Sequence, residues 1–299
     1  MKGRIADWRI PTDCRDRLGE SPLWHPDEAA LYWIDFYGPA VHRLDGATGR
    51  RQDWTIAGFA TIGSLALCDH GRLLLALDRG LFLFDPESGA LTPFADPNRQ
   101  HAGIGYNDAK VDRHGRYWVG TFDVAETSPR GTLYCLDRAG GARVADSGFV
   151  VCNGPAFAPD GRTLYFNDSL GRQILAYDLD PATGMLSRRR LFQRFDEPDG
   201  LPDGLCVDRD GQVWCALYGG GKLVRLTPSG EIVQTIRLPV PNVTSCCLGG
   251  PGLKTLFVTS GATVATAEAA QRGNDGALFA VDVAVPGLPE PIFAPRRSV

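Results

Sequence analysis

The chain has 299 residues, 43% of them hydrophobic, and a formal net charge of −4. With no run of Lys and Arg, that balance argues against a nucleic-acid surface, and no uninterrupted apolar stretch of about 18 residues is present to span a bilayer. The 36 glycines and 21 prolines suit short strands and tight turns rather than long helices.

The chain opens on MKGRIADWRI, which lacks the apolar core of a secretory signal. Eight cysteines, at 14, 68, 135, 152, 206, 215, 246 and 247, show no paired zinc spacing. They read as small core residues of a reduced, cytoplasmic protein, in which the sequons at Asn167 and Asn242 would stay unmodified. A strand near residues 4–10 precedes the first full repeat and is expected to pair with the last one, closing a ring of sheets and removing open edges.

From there one pattern recurs six times. A polar turn such as HPDE (25–28), DRHGR (112–116) or DRDGQ (208–212) leads into a strand centred on an aromatic residue or leucine. The centres are Trp33, Leu74, Trp118, Tyr165, Trp214 and Phe257, so successive units lie 41, 44, 47, 49 and 43 residues apart. A following strand is read at VHRLD (41–45), LFLFD (81–85), TLYCLD (132–137), ILAYD (174–178), LVRLT (223–227) and LFAVD (278–282). Repeats in the forties made of short strands predict blades that stack around an axis. The expected architecture is all-β, with residues 1–299 forming one six-bladed β-propeller around a central channel. Within the last unit, ATVATAEAAQR (262–272) reads as a helical excursion.

Polar residues read in the phase of the repeat single out one position per unit. Glu20 lies 13 before Trp33, Asn107 11 before Trp118, Asn153 12 before Tyr165 and Asp203 11 before Trp214. The other two units carry Ile62 or Gly63 and Ser245 there. This phase is the start of the strand preceding the central one, so four oxygen-bearing side chains are expected to ring one mouth of the channel. Two carboxylates and two amides form a hard oxygen set suited to calcium, magnesium or manganese, and a dication removes the repulsion between the acids. The competing reading is that these residues cap turns, which suits Asn153-Gly154 and Asp203-Gly204 but not Glu20.

The segments LGESPLWHPDEAALYWID (18–35), YNDAKVDRHGRYWVGTFD (106–123), NGPAFAPDGRTLYFNDS (153–169), PDGLCVDRDGQVWCALYGGG (202–221) and TSCCLGG (244–250) resemble the senescence-marker-protein/gluconolactonase/regucalcin family. The resemblance runs in order over nearly the whole chain. It implies a six-bladed propeller that hydrolyses sugar lactones with one divalent cation, drawn from calcium, zinc, manganese, magnesium or iron. It makes Glu20, Asn153 and Asp203 metal ligands, Asp203 the general base as well, and Asn107 a neighbour that contacts substrate or water. Such a cation would polarise the lactone carbonyl. Ligand and base are competing demands on Asp203, which leaves the cation itself as a second candidate for activating water.

Where the family often carries an arginine that holds sugar hydroxyls, this chain has Gly105, followed by Tyr106. Loss of a planar multi-donor group is expected to change which lactone is preferred. Tyr106 and Glu126 are further candidates for substrate contact, Glu126 with a register slip of about one residue and a solvated-loop reading beside it. His101 is a possible replacement donor or a lone surface histidine.

Other signals point elsewhere. YGGGK (218–222) lacks the phosphate-loop spacing, and DLDPATG (178–184) reaches Arg189 where a calcium loop needs Glu. Cys246-Cys247 reads as close packing, and no Gly-x-Ser-x-Gly elbow appears. The expected partner is therefore a small sugar lactone, with neither nucleic acid nor membrane, and oligomeric state is left open. The alternatives are a lactonase or esterase for non-sugar esters or phosphotriesters, and a non-catalytic calcium-binding propeller.

Overall fold

The computed structural model describes residues 7–262 and 273–296. Its short strands, bounded by polar turns, form antiparallel meanders in which each strand pairs with the next. Blades 1 to 6 cover residues 19–55, 62–95, 104–149, 152–194, 201–237 and 243–282. Among the described residues, five have four strands and the sixth has three. The 3-10 turns at Asp69–Gly71, Glu197–Asp199 and Pro251–Leu253 are the helical elements among the described residues. The helical excursion expected at 262–272 lies, from residue 263 onward, outside the described residues.

In each blade the residue read as the repeat centre sits in the second strand, and Trp33, Leu74, Trp118, Trp214 are essentially without solvent exposure. Six apolar clusters fill the joints between successive blades. The last joins Trp24, Leu31 and Trp33 of blade 1 to Cys247, Phe257 and Leu278 of blade 6, so the ring is closed by packing. Of the amino-terminal segment expected to close the ring, residues 4–6 lie outside the described residues. Arg9 exchanges both backbone hydrogen bonds with Ala280 in an isolated bridge beside the outer strand of blade 6, and Leu18 bridges Gly261.

Blades 1, 3 and 5 share an interior device. Trp33, Trp118 and Trp214 donate their indole N–H groups to buried Asp16, Asp112 and Asp208 at 2.9, 2.9 and 3.1 Å. Each carboxylate also meets a basic side chain: Arg116 at 2.6 Å from Asp112, Arg225 at 2.6 Å from Asp208, and His42 with Nε2 3.1 Å from Asp16 Oδ1. His42 and Arg225 are the direct cross-strand partners of their tryptophans. The indole and guanidinium supply donors that a buried carboxylate requires.

The carboxy-terminal segment runs across the far end of the channel. Phe293 pairs its backbone with Leu67 and Asp69 and packs between blades 2 and 3. Glu290 approaches Lys110 of the blade 3 inner strand at 3.8 Å.

Candidate active site

The innermost strands are Gly19–His25, Ile62–Leu67, Ile104–Val111, Cys152–Phe157, Leu201–Val207 and Val243–Gly249. Each slips its register against the second strand near its start: after Glu20, after Ile62, between Tyr106 and Ala109, after Asn153, after Pro202 and after Val243. A bulge bends the strand and re-aims the side chains at the slip. Glu20, Asn107, Asn153 and Asp203 therefore sit at equivalent irregularities of four blades, and all four line one cavity of about 380 Å³. In blade 2 the position is Gly63, where a Cβ would fall 2.4 Å from the Tyr106 carbonyl oxygen, so the neighbouring strand leaves room only for glycine.

The amides are held by a short relay. Asn107 Nδ2 donates to Cys152 O and to Asn153 Oδ1, both at 2.8 Å. Asn153 Nδ2 donates to Ser169 Oγ at 3.0 Å, and Ser169 Oγ donates to Pro202 O at 2.7 Å. Asn167 reaches from blade 4 to the Asp203 carbonyl. With both hydrogens of Asn107 Nδ2 committed, its Oδ1 is the atom left for a ligand.

The acids are not supplied in the same way. Asp203 Oδ1 is buried without a hydrogen-bond partner. Burial pushes the Asp203 carboxyl well above its ordinary range, and the Asp108 charge adds to the shift. Glu20 is also raised, first by burial, then by the charges of Asp203 and Asp108. An orphaned carboxylate oxygen beside a second acid and an amide oxygen fits a hard divalent cation, which would offset burial and repulsion together.

Asp108 is the residue that sequence reasoning missed. It accepts from Ala109 N and Gly154 N at 2.8 and 3.0 Å and faces the two acids electrostatically. Strict strand alternation would send Asn107 and Asp108 to opposite faces. The slip between Tyr106 and Ala109 breaks that alternation, and the Asn-Asp pair at a candidate position was the available signal.

Tyr106 does not line the cavity. Its ring is buried between blades 2 and 3, and its hydroxyl donates to Asp96 at 2.8 Å and accepts from Asn98 N. Direct substrate contact by Tyr106 is therefore replaced by a packing role, because the strand turns it away from the channel. Glu126 does line the mouth, on an exposed loop and with a positive φ of 53°. Gly105 pairs directly with Phe122, and a Cβ there would stand 2.5 Å from the ring. Phe36, Tyr37, Phe122, Leu201 and Tyr218 complete much of the wall, with Arg17 its one cation among the described residues.

A second group, Cys14, Asp16 and His42, also brings possible ligand atoms within 4.8 Å of one another. Burial and the Asp16 charge push the Cys14 thiol up. The group repeats, with a histidine in place of the arginine, the carboxylate–indole device of blades 3 and 5.

No helix among the described residues is long and apolar enough to cross a membrane. Residues 18–262 match the SMP-30/Gluconolactonase/LRE-like region family. The chain is 34% identical to a pentonolactonase of Haloferax volcanii, over 94% of this chain and 95% of that one. It is 33% identical to regucalcin of Gallus gallus, over 94% and 96%. Among solved structures, a calcium-binding regucalcin of Agrobacterium tumefaciens superposes with a TM-score of 0.92 at 26% identity, covering 98% of this chain and 99% of that one.

Proposed function

Because the chain belongs to the SMP-30/gluconolactonase/LRE-like family, we propose that it is a sugar lactonase that opens aldonolactones to aldonic acids with the aid of one divalent cation. The observation that carries this reading is the partnerless Asp203 Oδ1 beside Glu20 and Asn153 in a cavity of about 380 Å³. The names of relatives, pentonolactonase and calcium-binding regucalcin, support the substrate class and a divalent ion in turn. Eight free, buried cysteines support a reducing, cytoplasmic setting.

Glu20, Asn153 Oδ1 and Asp203 would hold the cation, which supplies Lewis acidity toward the lactone carbonyl. Asp203 takes the proton of the attacking water as oxygen adds to the carbonyl carbon. When the ring C–O bond breaks, the same carboxyl returns the proton to the departing ring oxygen, which leaves as the hydroxyl of the product acid. Asn107 Oδ1 accepts from a substrate hydroxyl or from the water, and its two committed hydrogens keep that oxygen aimed inward. Arg17 and Glu126 also line the cavity, and both are exposed.

The test is proton release from a panel of aldonolactones, first with chelator and then with calcium, zinc, manganese, magnesium or iron restored. Turnover that disappears with chelator and returns with one cation supports the reading. Activity untouched by chelation removes the cation, and silence throughout removes the lactonase.

A further inference from the structure

The floor of the cavity is polar, but the wall next to Asn107 is not. Gly105 lies two residues before Asn107 on the same inner strand, and the Phe122 ring covers it from the adjacent strand. Phe122 packs on Phe36 at 6.0 Å between centroids, and Phe36 on Tyr37 at 4.8 Å. Leu170, Leu201 and Val151 add carbon to the lining. Arg17 is already engaged, donating to the Tyr37 carbonyl at 2.9 Å with its guanidinium 5.8 Å from the Tyr37 ring. A substrate group that extends past Asn107 on this side therefore meets aromatic carbon.

We propose that this wall makes the enzyme select lactones that present a hydrocarbon group to Phe36 and Phe122, in particular 6-deoxyaldonolactones over their hydroxylated counterparts. The inference rests on the lactonase reading. A methyl group gains from leaving water against the rings, whereas a hydroxyl there would give up its water for no partner. Phe122 is in this account a specificity-determining residue, and Gly105 is what gives its ring room. Any side chain at 105 would have to displace the ring, since even a Cβ falls within 2.9 Å of two of its atoms.

Matched lactones of the same enantiomeric series that differ by one hydroxyl provide the test: L-rhamnonolactone against L-mannonolactone, and L-fuconolactone against L-galactonolactone, compared by kcat/KM. A hydrophobic site rejects an added hydroxyl by up to about 100-fold, so the deoxy member should lead by about tenfold or more in at least one pair. Phe122→Asn should bring that ratio toward one, whereas Phe122→Leu should keep it. If Phe122→Asn does not fold, Gly105→Ser puts a hydroxyl where the ring now lies and should move the ratio the same way. Equal or reversed preference in both pairs overturns the proposal, as does a ratio that neither polar variant moves. Turnover of lactones without the deoxy preference, or of other aldonolactones but none of these four, would spare the lactonase reading and reject this one; silence across the whole aldonolactone panel rejects both.

Discussion

Two sets of buried carboxylates lie a few residues apart in the sequence and in opposite conditions. Asp112 and Asp208, inside their blades, are fully buried and fully supplied. Asp208 accepts from the backbone N–H groups of Asp210 and Gln212 at 3.0 Å each, from the Trp214 indole and from Arg225. Asp203 and Glu20, at the channel, are nearly as buried, at 7% and 8% exposure, yet Asp203 Oδ1 has no partner and both acids face Asp108. Burial alone therefore does not decide what a carboxylate does. The supply of donors does, and the channel set is held short of donors in a place open to a ligand.

The largest effect should come from the undersupplied set. Asp203→Asn is expected to lower lactone turnover by roughly 10²- to 10⁴-fold, the usual range for a proton-transferring group, while the melting temperature measured with chelator holds or rises. Near-parental activity at saturating cation would mean that the channel acids are structural after all.

The supplied set should respond in the opposite sense. Asp208→Ala strips Trp214 and Arg225 of their buried acceptor, and breaking such a pair costs about 3–5 kcal/mol. Urea unfolding should register that loss, with activity per folded molecule little changed. A stable but inactive variant would erase the distinction between the two sets.

Cation linkage comes next. At about 100 times its Kd, a divalent ion should stabilise the parent by about 2.7 kcal/mol. Glu20→Gln should lose most of that gain in thermal melts, and Asp112→Asn should retain it at its own lower baseline. A gain that survives Glu20→Gln would locate the ion elsewhere.

The smallest effect concerns His42, the titratable member of the supplied set. Burial alone would lower its pKa, but hydrogen bonding and attraction from Asp16 and Asp53 outweigh that and leave it raised above 6.5. Its contribution is complete below the unfolded value and fades as pH rises through the folded one. Stability of the parent should therefore decline from neutral toward mildly alkaline pH, and His42→Asn should flatten that slope. An equal slope in both proteins would show that the charge on His42 does not support blade 1.

The difference between the sets also explains what could be read from the chain. DRHGRYW and DRDGQVW are local: the acceptor, the turn amides that bind it and the tryptophan lie within six residues, so turn and strand could be recognised together. Glu20, Asn107, Asn153 and Asp203 were found only through the phase of the repeat, because their meeting depends on residues 46 to 183 apart in sequence. Asp108 was missed because periodicity assumes regular alternation, which the register slip in the blade 3 inner strand suspends between Tyr106 and Ala109. Tyr106, singled out by its place beside Gly105, is turned away from the channel by ordinary alternation with Asn107.

Local pattern thus determined the strands, the turns, the number of blades and which residues of each blade fall near the start of the inner strand, because those depend on neighbours along the chain. The direction of each side chain at the bulges, the orphaned oxygen of Asp203 and the phenylalanine covering Gly105 were decided only by blade packing. Each of them depends on which atoms of distant segments fill, or fail to fill, the same few ångströms.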